Sequence, residues 1–254
     1  MQQVRDSLLV VGAYPSDHGC IIRGTTPGEI RMKDIPFSAY DFFAYLSSGI
    51  IVVATIDVVY GRAWLLSDSQ SLAVGVVGVV MAYISGQVVA QLSSPILEQL
   101  IVGKLLGRPS KLLVTDGKSR WRFLFPNYFR PLPAETRQRI KQRTSEFGFN
   151  GEGEALFLHV FSIMKSRNDV KQRLHNFLNL YGFSRNVCLA LLISGVVVVI
   201  GPVDERELES KGYGIALLVL SGVMFYRYLK FFRHYSYELF VSYSEVVAAK
   251  SSPQ

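Results

Sequence analysis

The stretch SQSLAVGVVGVVMAYISGQVVAQLSSPIL, Ser69 to Leu97, decides how this chain is read. It runs for 29 residues without Asp, Glu, Lys, Arg or His. A helix needs about 20 mostly apolar residues to cross roughly 30 Å of hydrocarbon. This run is long enough to cross and leave a turn or two over. Three further runs are apolar enough to span: Phe42 to Tyr60, whose one charge is Asp57, and the charge-free Asn186 to Val203 and Gly212 to Tyr226. The last is short, and it crosses if Arg227 and Lys230 snorkel and Phe225, Tyr226, Tyr228, Phe231 and Phe232 sit in the headgroup belt. The fold predicted is all-α: a polytopic integral membrane protein with four transmembrane helices in two hairpins and a cytoplasmic helical domain between them.

The composition agrees. Hydrophobic residues make up 49% and charged ones 19% of the chain, and the charges are bunched between apolar runs, as spans joined by polar loops require. The net charge of +7 is better explained by a basic surface held against anionic headgroups than by nucleic acid. Cys20 and Cys188 are too far apart for a zinc spacing and imply no disulfide framework. The apolar patch Leu8 to Ala13 is too short for a cleavable signal.

Five segments follow. Residues 1–36, punctuated by Pro and Gly, read as a cytoplasmic cap with a short strand at Leu8 to Gly12. Residues 37–106 hold the first transmembrane hairpin. They end in an interfacial helix, Pro95 to Leu106, which starts from a bend and cap at Ser94-Pro95 and is stopped by Gly107 and Pro109. Residues 107–185 form a basic helical domain. Asp116-Gly117 suggests a hairpin between Lys111–Val114 and Arg120–Phe125, followed by helices at Ala134 to Phe147 and at about Glu154 to Lys165. A third helix starts near Asp169 and runs on into the third span. Residues 186–230 hold the second hairpin, and 231–254 continue its last helix to about Ala249.

Basic residues set the orientation. The middle segment, Glu98 to Arg185, carries 16 Lys and Arg, while the links Gly61–Asp68 and Asp204–Lys211 together carry 3. The middle segment and both termini are therefore expected in the cytoplasm and the two links outside. A bacterial inner membrane is the default setting for short links without an organelle address.

Gly78, Ala82, Gly86 and Ala90 recur every four residues and suggest a face where another helix, or another copy, approaches closely. Beside them Gln87, Gln91, Ser94 and Glu98 form a polar stripe. Such groups either line a wet pathway or clamp a neighbouring helix, because polar atoms at membrane depth need partners. Asp57, late in the first span, either faces a pathway or belongs to the outer interface. Arg137, Arg139, Lys141 and Arg143 on one helix, and Arg227, Lys230 and Arg233 after the last span, are candidates for binding lipid headgroups or an acidic partner. His159 lies in an apolar helix and reads as a hydrogen-bonded core residue.

No metalloprotease, nucleophile-elbow, P-loop or dinucleotide signature occurs, so no catalytic residue, metal or cofactor is assigned. The leading expectation is a non-enzymatic membrane protein that forms homo-oligomers and acts as a channel-like or membrane-perturbing effector, controlled through its cytoplasmic domain. Its partners would be membrane lipids and other copies of the chain, with no nucleic acid. One alternative is a scaffold recruiting a soluble cytoplasmic protein. Another is an interfacial enzyme on a lipid-linked substrate, for which His18, Cys20, His159 and Glu98 are the polar groups available.

Overall fold

A computed structural model describes residues 39–59, 71–115, 119–201 and 207–250. The N-terminal cap with its expected strand, His18, Cys20, and the first link lie outside them. Among the described residues all regular structure is helical. In chain order it comprises α1 (Ala39–Val59), α2 (Leu72–Ser93), a π-helical segment (Ser94–Leu106) and the single turn α3 (Pro109–Leu112). After a 3-10 turn (Arg120–Phe123) come α4 (Ala134–Glu146), α5 (Glu154–Met164), α6 (Asn168–Ile200) and α7 (Glu207–Lys250). Four helices, α1, α2 with its π continuation, α6 and α7, are long and apolar enough to span a membrane.

Their outer surfaces show why these segments fold as helices. Val76, Val79, Val80, Ile84 and Val88 on α2 and Ile215, Val219 and Val223 on α7 stand exposed. In water so large an apolar surface would aggregate. In hydrocarbon it is the required skin, and a helix satisfies every backbone group within the segment. Two hydroxyls on α1 are satisfied within the helix as well: Ser48 and Thr55 donate to the carbonyls of Ala44 and Ile51, one turn back.

The buried face of α2 is Gly78, Ala82, Gly86, Val89, Ser93 and, in the π segment, Leu97. Ala90 is only half-buried. A strict four-residue repeat drifts about 40° per step on an α-helix, so by Ala90 the stripe has turned off the contact, and a three-residue step to Val89 restores it. The close approach is to α1. A Cβ on Gly86 would land on the backbone carbonyl of Tyr45, and one on Gly49 on the carbonyl of Ala82. Helix α6 packs on α1, α2 and α7. It is also the most enclosed span, with 50% of its apolar window buried against 17% for α7.

Three layers of core stack along α6 and α7. The first, around Val89, Leu97, Cys188 and Ala190, lies among the spans. The second is aromatic and joins Val102 and Leu106 of the π segment to Tyr128, Phe129, Tyr181 and Tyr228. The third gathers Ile140 of α4, Val160 and Met164 of α5, Leu174 of α6 and Phe240 and Tyr243 of α7 into a helical body.

Two local expectations change. Lys111–Val114 lies in a helical turn and Arg120–Phe123 in a 3-10 turn, so no β-hairpin forms there. The hydroxyl of Ser119 instead accepts from the Trp121 N–H and starts the second turn. At Ser94-Pro95 the helix neither caps nor restarts. Ser94 has φ −66° and ψ −55°, inside the helical region, and the chain goes on with wider winding. Pro95 has no N–H and its ring crowds the carbonyl four residues back, which favours widening at that point. The segment ends at Gly107, whose φ of 89° suits glycine and whose N–H bonds Val102 O, five residues back.

Gly86→Ala is expected to lower thermal stability in detergent by about 1–3 kcal/mol, the usual effect of overpacking. Gly75→Ala, with nothing within 4 Å of the added carbon, leaves it unchanged or raises it. Equal melting temperatures for the two variants would contradict the α1–α2 contact.

Candidate functional site

The polar groups converge where the first and second core layers meet. Each residue of a π-helix advances about 82° rather than 100°. Over the four steps from Ser94 this swings Glu98 about 70° toward the buried seam, where it meets α6. Glu98 Oε2 accepts from Arg185 Nη1 at 2.8 Å, with side-chain exposures of 28% and 15%. The Arg185 guanidinium also lies over the Tyr181 ring, 5.6 Å from its centre. Tyr181 in turn stacks on Phe232 of α7, with centroids 5.3 Å apart, and lies 5.9 Å from the Tyr228 ring.

Two buried hydroxyl clamps flank the pair. Ser93 Oγ donates to Asn186 Oδ1 at 2.8 Å, tying α2 to α6. Ser221 Oγ donates to Cys188 O at 2.9 Å, tying α6 to α7. Tyr128 O–H donates to Gly107 O at 2.8 Å and so fixes the loop after the 3-10 turn to the end of the π segment. Burial pushes this phenol's pKa above its ordinary value, so it is a neutral donor at any physiological pH. Tyr228 is completely buried, and its hydroxyl has no hydrogen-bond partner among the described residues.

The residues singled out from sequence are distributed as follows. Gly78, Ala82 and Gly86 lie in the buried seam and Ala90 at its edge. Gln87 and Gln91 face outward on α2 and make no side-chain hydrogen bond among the described residues. Glu98 turns inward to Arg185. Asp57 is nearly buried and engages a neighbour. On α4, Lys141 pairs with Glu152 at 3.3 Å and Arg143 with Glu146 at 3.2 Å, while Arg139 is exposed and Arg137 half-buried. Arg227 lies over Phe231, 5.2 Å from its ring centre. Lys230 and Arg233 line a cleft beside α7. His159 stacks on Phe149 at 4.4 Å, and its Nε2 has no hydrogen-bond partner among the described residues. The ring is thus placed by stacking, not by the hydrogen bond expected for it.

Sequence reasoning missed Ser93, Arg185, Asn186 and Tyr181, and it expected Tyr228 in the headgroup belt, where the structure buries it completely. A signal existed for two of them: Arg185-Asn186 is the last charge and first amide before an apolar run, where polar side chains must find partners. Comparison with protein-family models, curated proteins and solved structures gives no match.

The arrangement carries no reacting constellation. It is a polar lock, in which a carboxylate on a widened helix holds a guanidinium that leaves α6 over the Tyr181 ring. Removing one partner of a buried ion pair costs about 3–5 kcal/mol, and partial exposure reduces this to about 2. Glu98→Gln is therefore expected to destabilise the protein by about 2 kcal/mol, with Arg185→Gln adding little once Glu98 is gone. Tyr228→Phe removes an unpaired hydroxyl and leaves the melting temperature unchanged or higher. Additive losses for the two charge variants would contradict the lock.

Proposed function

We propose that this is a non-enzymatic membrane sensor–effector. Its four spans form two hairpins, with both termini and the helical body between the hairpins in the cytoplasm of a bacterial cell. The spans assemble with copies of the chain and conduct or perturb the membrane under control of the body. The observation that supports this best is the continuity of α6 and α7. Each runs from an apolar segment into the body without interruption, so a displacement of α4 and α5, which pack on α7, is carried along a rigid element into the spans. The Glu98–Arg185 lock sits where that displacement would pass.

Assembly is supported by Gln87 and Gln91. Their amides face outward at membrane depth, where lipid offers no hydrogen bond. A second copy presenting the same face would supply one, and amide pairs of this kind contribute about 1–2 kcal/mol in membranes. Orientation is supported by the basic excess of residues 98–185 over the links.

Reconstitution into planar bilayers tests the effector reading. The expected result is conductance, or leakage of vesicle contents, together with an oligomeric particle in detergent that Gln87→Leu/Gln91→Leu reduces in size. A silent bilayer with a strictly monomeric particle would overturn it. A reporter fused after Gln254 is expected to be active only inside the cell, and activity only outside would reverse the orientation.

A further inference from the structure

One face of α7 changes chemistry without changing direction. Val219, Val223, Tyr226, Lys230, Arg233 and Tyr237 follow spacings of four, three, four, three and four. On a helix this keeps them within about 40° of a single line. Val219 and Val223 are exposed and apolar, continuous with the lipid-facing skin. About 10 Å further along the axis the same face becomes cationic, at Lys230 and Arg233. The loop from Phe125 to Pro133 stands against this face and encloses with it a cleft of about 840 Å³.

Four basic side chains line the cleft, Arg130, Lys230, Arg233 and His234, together with the amide of Asn127. No carboxylate does, and among the described residues none pairs with Arg130, Lys230 or Arg233. Arg233 Nη2 donates to Arg130 O at 2.8 Å, while its Nε is buried without a hydrogen-bond partner among the described residues. The cleft wall is held from behind by Tyr128 on Gly107 O and by Leu132 N–H on Leu113 O at 3.0 Å, so it stands ready-made. At its apolar end Phe125 stacks on Tyr226, with centroids 6.3 Å apart. The adjoining Phe123 projects outward at 95% exposure between Arg122 and Leu124. Aromatic and basic residues exposed together just beyond an apolar segment are what the headgroup layer selects.

We propose that this cleft binds an anionic phospholipid, with Lys230 and Arg233 holding its phosphate and Val219 and Val223 lying along its acyl chains. Unpaired cations with no neighbouring acid select an anion. The apolar continuation of the same face selects an anion that carries chains over a free one. The site does not depend on whether the spans conduct.

Native mass spectrometry of the delipidated full chain in detergent tests this, with phosphatidylglycerol, phosphatidylcholine and inorganic phosphate as probes. The expected result is a discrete adduct with one phosphatidylglycerol, at least about tenfold tighter than with phosphatidylcholine, that millimolar inorganic phosphate does not displace. Lys230→Gln alone weakens it several-fold, and Lys230→Gln/Arg233→Gln abolishes it. Lys230 is exposed and makes no hydrogen bond among the described residues, so the single variant folds even if the double one does not. Lys165→Gln/Lys171→Gln removes the same charge from the body's exposed surface and leaves binding unchanged. Equal binding of the two lipids, or an adduct indifferent to Lys230→Gln, would overturn the assignment. So would displacement by inorganic phosphate, which would mark a soluble anion as the occupant.

Discussion

Arg185 is the residue around which the polar interior of this protein is organised. Its guanidinium leaves α6 at the level where the lipid-facing skin gives way to the body. An unpaired charge there would cost several kcal/mol. Glu98 supplies the opposing charge and Tyr181 a ring face. Glu98 reaches it because the chain winds as a π-helix from Ser94 onward. π-helical winding is rare and concentrates at functional sites. Here it has an identifiable task, which is to rotate one carboxylate from the outward polar stripe toward the seam. The clamps Ser93–Asn186 and Ser221–Cys188 repeat the same solution with neutral groups. Together they join α2, α6 and α7 through hydrogen bonds where hydrophobicity cannot, since lipid is as apolar as the helices themselves.

From this junction the architecture extends both ways on the same two helices. Above it, close backbone contact between α1 and α2 and the enclosure of α6 hold the spans. Below it, Leu239, Phe240 and Tyr243 of α7 form one wall of a core closed by α4 and α5. This body has the packing of a water-soluble helical domain: an apolar core, with ion pairs such as Arg173–Glu238 at 2.8 Å on its surface. The two halves need opposite solvents, and the aromatic layer of Tyr128, Phe129, Tyr181 and Tyr228 separates them.

The apolar runs were legible because the requirement for hydrocarbon length acts on sequence directly, as at Ser69 to Leu97. The continuity of the third span with the helix before it was legible too, since only Gly182 interrupts the pattern. The contact face of α2 could be read as far as Gly86 and then drifted, because a four-residue repeat is not the helical period. α-Helical winding would put Glu98 on the stripe with Gln87 and Gln91, and the π segment turns it off that stripe. The false hairpin at Asp116-Gly117 arose from a turn signal read without the neighbouring Pro109 and Ser119, which begin helical turns. The role of Arg185 is not legible in its own neighbourhood, because its partner Glu98 lies 87 residues away and no local pattern announces such a pair.

The whole architecture requires that residues such as Val76, Val80 and Val219, exposed in the fold, face lipid. Single cysteines at these positions, in a chain with Cys20 and Cys188 replaced, can be probed in proteoliposomes with water-soluble and lipid-soluble maleimides. The account predicts that Val76→Cys, Val80→Cys and Val219→Cys react only with the lipid-soluble reagent, while Gln138→Cys and Arg139→Cys, equally exposed on α4, react with the water-soluble one once both faces are accessible. Rapid labelling of the three valine positions by the water-soluble reagent would contradict it.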